Sequence, residues 1–223
     1  MKPWPCRAVL FDLDGVLVDS TSYIEEQWRR WALSKGLRAE PFLEVCHGRR
    51  ALETIRLAAP HLDAEAEIAA FQPDRSQDCP LNAVEGAARL LESLPEDSWA
   101  VATSGSRAEA VERLLRAGLP RPRTLIGAED VLHGKPHPDV YLKAAASLGV
   151  APVDCIVVED APPGIEAAHR AGMRVIGLTT THQAAVLSAD ACVDSLIGLR
   201  VGRAENGPDD AAIELLVSDG ERP

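Results

Sequence analysis

Asp12 and Asp14 stand two residues apart in Asp12-Leu13-Asp14-Gly15, directly after the apolar run Ala8-Val9-Leu10-Phe11. Two more polar sets follow apolar runs in the same way. Thr103-Ser104-Gly105-Ser106 comes after Trp99-Ala100-Val101-Ala102, and Glu159-Asp160 comes after Ile156-Val157-Val158. A lysine, Lys135, sits in Gly134-Lys135-Pro136-His137-Pro138, ahead of the last of these runs. The inventory is four acids, a hydroxyl with a turn of backbone amides, and one ammonium. A carboxylate can attack phosphorus and form an acyl phosphate, which splits ester hydrolysis into two easier steps. Like charge opposes its approach to a phosphate, so a divalent cation must bridge the two. Mg²⁺ prefers oxygen ligands, and carboxylates, a backbone carbonyl and water supply them. A second carboxylate two residues further along can serve as general acid toward the leaving oxygen. The Thr hydroxyl, nearby N–H groups and the Lys can hold the non-bridging oxygens.

Taken singly, each set has a plainer reading. Asp-x-Asp-Gly is a common turn, Thr-Ser-Gly-Ser a common helix N-cap, and Gly-Lys-Pro a surface turn with a solvated lysine. Glu159-Asp160 followed by Ala161-Pro162-Pro163 reads as acids before a proline-led helix start. Their order and their shared placement at the ends of apolar runs carry the argument.

The elements that must position them follow from periodicity. Ala8–Phe11, Trp99–Ala102, Leu125–Ile126, Ile156–Val158 and Val175–Leu178 are short, wholly apolar runs of the kind that become buried parallel strands. Helical patterns over Val84–Leu94, Arg107–Ala117, Asp139–Leu148 and Ile165–Ala171 lie between them. The alternation predicts an α/β fold, with a Rossmann-like parallel-sheet core and helices on both faces. In such sheets ligands bind at the carboxyl ends of the strands. From about Asp19 to Leu81 the alternation stops. Helical periodicity at Tyr23–Leu33, Ala51–Leu57 and Ala64–Phe71 predicts a helical insert after the first strand, and the polar stretch 72–78 leads back. The expected division is 1–18 and 82–223 for the core, and 19–81 for the insert. Residues 205–210 read as a loop, and Ala211–Val217 as a short edge strand.

The bulk numbers set limits. Lys and Arg total 23 against 34 Asp and Glu, a formal charge of −11, which argues against nucleic acid or anionic lipid as the main partner. The start Met1-Lys2-Pro3-Trp4-Pro5-Cys6 is too polar and proline-rich for a secretory signal. The apolar runs are strand-sized, far short of a bilayer span. Five scattered cysteines suggest free thiols in a reducing cytoplasm, and six dispersed histidines suggest no zinc site. Trp28 and Trp31 lie at helical spacing and read as core of the insert. Cys46 beside His47 reads as structural.

The ordered motifs resemble those of the haloacid dehalogenase-like superfamily over nearly the whole chain: Asp12-Leu13-Asp14-Gly15-Val16, Val101-Ala102-Thr103-Ser104-Gly105, Gly134-Lys135-Pro136 and Val158-Glu159-Asp160. The resemblance implies Asp12 as nucleophile, Asp14 as general acid and later as base for water, and Thr103 and Lys135 at the phosphate. It also implies Mg²⁺ held by Asp12, the Asp14 carbonyl and Asp160, with Glu159 in contact or just behind. The helical insert looks like the family's cap. Within the superfamily, His47-Gly48-Arg49-Arg50, Trp99–Gly105, Gly134–Pro138 and Glu159–Ile165 resemble the glycerol-phosphate and deoxyglucose-phosphate phosphatases. This implies a cytoplasmic phosphomonoesterase acting on a small sugar or polyol phosphate. Val16 departs from the Thr usual there. His47, Arg49 and Arg50 are the expected cap contacts to substrate, joined from the core by Ser104 and Gly105.

Other uses of the same motifs are weighed against it. A dehalogenase lacks the second aspartate and needs no Mg²⁺, so Asp14 and Glu159-Asp160 argue for phosphoryl transfer. A β-phosphoglucomutase-like sugar phosphomutase shares Asp12, Asp14 and the lysine, but typically has a histidine where Ile24 follows Tyr23. A non-enzymatic phospho-acceptor module needs no helical insert.

Overall fold

The computed structural model describes residues 2–70, 81–203 and 213–217. The chain opens with β1 (Lys2–Cys6), β2 (Ala8–Phe11) and β3 (Val18–Asp19). Helices α1 (Thr21–Ser34), α2 (Glu40–Leu43), α3 (Ala51–Ala58) and α4 (Ala64–Ala70) follow, and then β4 (Asn82–Ala83). Next come α5 (Ala87–Ser93), β5 (Trp99–Ala102), α6 (Arg107–Arg116), β6 (Thr124–Ile126), α7 (Asp139–Leu148), β7 (Cys155–Glu159), α8 (Pro162–Arg170) and β8 (Arg174–Leu178). The order closes on β9 (Ala191–Val193), β10 (Leu199–Arg203) and β11 (Ile213–Val217).

Six strands form one parallel sheet in the order β6-β5-β2-β7-β8-β9. β2 is central because all four of its side chains are buried and apolar, so it tolerates a neighbour on each edge and a layer on each face. One layer packs Val9 and Phe11 with Leu90, Leu114 and Ile176. The other packs Ala8 and Leu10 with Tyr141, Ile165 and Ala168. The chain builds outward from β2 through β5 to β6, then returns to the other side of β2 with β7. The switch point therefore lies between β2 and β7, where open α/β sheets place their crevice.

The helical stretch expected after the first strand is present as α1 to α4. It has its own apolar cluster around Trp28, Trp31, Phe42 and Ile55, with the Trp28 and Phe42 rings stacked at 5.6 Å. The chain leaves and re-enters the sheet region side by side, because β3 and β4 pair antiparallel, Val18 against Ala83 and Asp19 against Asn82.

Three features differ from the sequence expectation. The strand Ile213–Val217 is not an edge; it lies between β1 and β10 in a three-stranded antiparallel sheet. β1 itself went unpredicted because Pro3 and Pro5 break a strand pattern. Both are accommodated because β1 is paired on one side alone, so the missing N–H groups cost no ladder bond. The helix expected at Val84–Leu94 is shorter, Ala87–Ser93. The expected polar return 72–78, the loop 205–210, and residues Phe71, Ala211 and Ala212 lie outside the described residues.

Candidate active site

Register brings the sequence motifs to one place. Phe11 pairs with Val101 on one side and Val158 on the other. The Asp12 N–H then donates to the Val158 carbonyl at 3.0 Å, and the Thr103 N–H to the Ile126 carbonyl at 3.0 Å. Asp12, Thr103 and Glu159-Asp160 thus leave adjacent strands at one level. Buried polar side chains are rare in a folded chain unless paired or used. Among the described residues they are Asp12, Ser20, Thr54, Ser98, Thr103, Lys135, Glu159 and Asp160, and all but Thr54 and Ser98 are gathered here.

Lys135 holds the cluster together. Its Nζ donates to Asp12 Oδ1 at 2.5 Å and to Glu159 Oε1 at 2.6 Å, and it lies over the Tyr141 ring, 4.9 Å from the centroid. Burial alone would lower the lysine's pKa. The Asp12 and Glu159 carboxylates outweigh it and hold the ammonium well above its usual value. The Tyr141 hydroxyl donates to the same Glu159 oxygen at 3.0 Å. Glu159 Oε2 accepts from the backbone N–H groups of Asp160 and Ala161, both at 2.9 Å. Gly164, in the first turn of α8, leaves room for this carboxylate, since a Cβ there would lie 1.6 Å from Glu159 Oε1. Both oxygens of Glu159 are therefore already engaged.

Burial raises Asp12 to about 7, with the Lys135 charge opposing and the Glu159 and Asp14 charges adding. Asp160 is held well above the usual carboxylate range, by burial first and then by Glu159 and Asp12. Three buried carboxylates, Asp12, Glu159 and Asp160, offer oxygens within 4.8 Å of one another. One lysine faces them, so the cluster carries excess negative charge in a site that water reaches poorly. A hard divalent cation fits this donor set, because it adds positive charge where the acids repel one another. Asp160 accepts a hydrogen bond from Thr181 and packs against Gly15, whose φ of +82° and lack of Cβ permit the approach. The Thr180 hydroxyl donates to the Gly15 carbonyl at 2.5 Å.

Asp14 points to a different set of partners. Its Oδ1 accepts from the Ser20 hydroxyl at 2.6 Å, and its Oδ2 from Arg113 Nη1 at 2.5 Å. Arg113, on α6, is largely buried beneath the Tyr23 ring. Burial disfavours its charge, yet the Asp14 and Glu109 carboxylates keep its pKa raised. The α6 N-terminus stands behind Thr103-Ser104-Gly105 and is fixed by a capping box. Glu109 Oε2 accepts from the Ser106 N–H at 3.0 Å, while the Glu109 N–H donates to Ser106 Oγ at 3.3 Å. Thr103 Oγ1 accepts from the Gly105 N–H at 3.1 Å.

A cavity of about 350 Å³ opens over this cluster. Its floor includes Asp12, Asp14, Thr103, Ser104 and Gly105, and its roof comes from α1 and the 46–52 segment with His47, Arg49 and Arg50. Each expected contact residue lines it, but their polar groups are aimed differently. The Ser104 hydroxyl donates to the Gly48 carbonyl at 3.0 Å, joining core to roof. Arg49 donates to the Val45 carbonyl at 3.1 Å. Arg50 is paired with Glu53 and donates to the Leu132 carbonyl. His47 Nε2 lies 3.4 Å from Glu25 Oε1, and its burial keeps the ring's pKa low. Cys46 is not a nucleophile in waiting, because burial, with the Glu25 charge adding, pushes its thiol up to about 12.

Sequence reasoning missed Ser20, Arg113, Tyr141 and Thr181. Arg113 sits 99 residues from Asp14 on a helix whose charged face reads as solvated, so no local signal pointed to it.

Comparison with known proteins places this geometry. A family model described as haloacid dehalogenase-like hydrolase matches residues 6–172. Hexitol phosphatase A of Escherichia coli (strain K12) is 38% identical over 209 residues, covering 91% of this chain and 97% of that protein. Glycerol-1-phosphate phosphohydrolase 2 of Saccharomyces cerevisiae is 36% identical, covering 88% of this chain and 85% of its own length. A solved hydrolase structure from Pseudomonas syringae superposes with a TM-score of 0.76 at 26% identity, over 85% of this chain and 94% of that one.

Proposed function

The chain belongs to the haloacid dehalogenase-like hydrolases, and from that membership we propose that it is a Mg²⁺-dependent phosphomonoesterase of a small sugar or polyol phosphate. The observation that carries this reading is the placement of Asp12. It stands at the carboxyl end of the central strand, paired with buried Lys135, and opens into a cavity roofed by α1 and the 46–52 segment.

Asp12 attacks phosphorus in line with the leaving oxygen and becomes an aspartyl phosphate; water then attacks that phosphorus and frees Asp12. Lys135 and the Thr103 hydroxyl, with the Ser104 amide, hold the non-bridging oxygens as charge shifts onto them, and the Gly105 amide orients that hydroxyl. Asp14, once it has taken up a proton and turned from Arg113, gives that proton to the leaving alkoxide and recovers one from the attacking water. Ser20 and Arg113 fix where that carboxyl group stands. Asp12, Asp160 and the Asp14 carbonyl would hold Mg²⁺, with Glu159 bracing them through the Asp160 and Ala161 amides. The ion supplies the positive charge that lets a carboxylate approach a phosphate.

Helices α1 to α4, within the 19–81 insert, act as the cap that shields the acyl phosphate and meets the organic half of the substrate. His47 and Arg49 are its contact residues. Among the described residues no helix is long and apolar enough to cross a membrane. The reading places the enzyme in the cytoplasm, acting on a small metabolite.

The cavity's cations favour hydrolysis over a sugar phosphomutase. A mutase must hold a second phosphate, which needs a cation aimed into the pocket. No lysine is among the described residues lining the cavity. Of the arginines there, Arg50 is paired with Glu53, Arg113 with Asp14, and Arg49 is held by the Val45 carbonyl. Phosphate release from a panel of sugar, polyol and nucleotide monophosphates, with Mg²⁺ or with EDTA, tests the reading. Magnesium-dependent release concentrated on a polyol or sugar phosphate is expected. Conversion of a hexose 1-phosphate to the 6-phosphate, without release, would favour the mutase instead.

A further inference from the structure

We propose that Arg50 is a positioning residue that locks the helical roof onto the loop carrying Lys135, setting turnover for every substrate rather than choosing among them. The proposal rests on the phosphomonoesterase reading above.

Arg50 sits at the N-cap of α3, where its backbone is extended, with ψ at 152°. Its guanidinium is held by Glu53 one turn on, with Nε 2.8 Å from Oε1 and 3.0 Å from Oε2. The pair is largely buried, with side-chain exposures of 16% and 22%. Pre-aligned in this way, Nη1 and Nη2 each reach the Leu132 carbonyl at 3.3 Å, and Nη1 also lies 3.5 Å from the Val131 carbonyl. A planar fork with two parallel donors suits this fastening; a single ammonium does not.

The fastened loop is the one that matters for chemistry. Leu132 lies three residues before Lys135, whose Nζ bonds Asp12 and Glu159. Gly134, between them, runs against the arginine–glutamate pair. A Cβ there would stand 2.6 Å from Arg50 Nε and 3.1 Å from Glu53 Oε1. The loop backbone is bare where the pair presses on it. The same roof segment is fastened at two other points. The Ser104 hydroxyl bonds the Gly48 carbonyl, and Gly48, with φ at +73°, passes so close that a Cβ would lie 2.8 Å from that of Ala161. The roof segment thus touches the loops that carry Thr103, Lys135 and Asp160, and Arg50 is its charged fastening.

A guanidinium engaged in this way is not aimed at substrate. Its loss should loosen the alignment of Lys135 and of the roof together. Misplacement of such groups by about 1 Å costs up to roughly 100-fold in rate.

The test compares the full chain with Arg50→Gln, Glu53→Gln and the double variant, on p-nitrophenyl phosphate and on the polyol phosphate that wild type hydrolyses fastest. Melting temperatures are recorded alongside, and rates are taken well below them. The expected result for Arg50→Gln is a fall in kcat of about 10- to 100-fold on both substrates, with KM changed by less than about threefold. Glu53→Gln should move kcat in the same direction, and the double variant should be no worse than Arg50→Gln alone, because the two act as one unit. A rise in KM confined to the polyol phosphate would overturn the proposal and make Arg50 a substrate contact. Unchanged kcat with a lower melting temperature would overturn it in favour of a purely structural pair. Should Arg50→Gln fail to fold, unchanged kcat in Glu53→Gln would overturn it equally. A wild-type protein inactive on the whole panel would fail the phosphatase reading itself, a different result from any of these.

Discussion

Lys135 Nζ lies 2.5 Å from Asp12 Oδ1, although 123 residues separate the two in sequence. Both side chains are almost wholly out of water, at 1% and 5% exposure, and Glu159 at 0% shares the same ammonium. Desolvation of such groups is offset only while the set is complete.

Removing the lysine should therefore cost stability as well as rate. Lys135→Met leaves two buried carboxylates facing each other without their cation, a loss of about 3–5 kcal/mol. Chemical denaturation should show that drop, and phosphate release should fall with it. Wild-type stability in this variant would mean that the acids are better solvated than their burial indicates.

Asp14 should show its role in the dependence on leaving group. With Asp14→Asn, alkyl phosphates lose the proton donor their poor leaving group needs, and turnover should drop by roughly 10²- to 10⁴-fold. Single-turnover phosphorylation of the enzyme by an aryl phosphate should fall much less, since a phenolate leaves without a proton. Near-normal rates on alkyl phosphates would refute proton transfer by Asp14.

The acid cluster makes cation binding depend on pH in a defined direction. Burial raises Asp12 in the folded chain from 3.8 to about 7. The fold therefore favours the protonated group, and that contribution is complete below about pH 4 and lost as pH rises through about 7. Mg²⁺ should offset the loss. The gain in melting temperature on adding Mg²⁺ should be larger at about pH 7.5 than at about pH 5. A gain independent of pH would contradict cation binding at these carboxylates.

Much of the catalytic frame was legible in the sequence because its signals are local. A buried parallel strand must be apolar along its length, so a run such as Ala8–Phe11 ending in Asp12 marks both the strand and its functional end. The same holds for Ile156–Val158 ahead of Glu159-Asp160. What the sequence hid depends on distant chain segments meeting. Arg113 belongs to a regular amphipathic helix, and only the packing of α6 beside β2 brings it to Asp14. Tyr141 reads as a helix core residue, and its hydroxyl finds Glu159 only once α7 lies on the sheet. Arg50 reads in the sequence as a cap contact to substrate, and its pairing is visible only once Glu53 and Leu132 are seen around it. β1 was hidden for a different reason, since two prolines mask a strand that can exist only at a sheet edge.

The central claim is that phosphoryl groups pass through Asp12. The most direct measurement is acid quenching of the enzyme during turnover with Mg²⁺ and its best phosphate ester, followed by mass spectrometry of the peptide containing residues 8–20. A transient phosphoryl adduct on Asp12 is expected in wild type, and neither adduct nor phosphate release in a folded Asp12→Asn variant. Full turnover by Asp12→Asn, or an adduct on another residue, would contradict it.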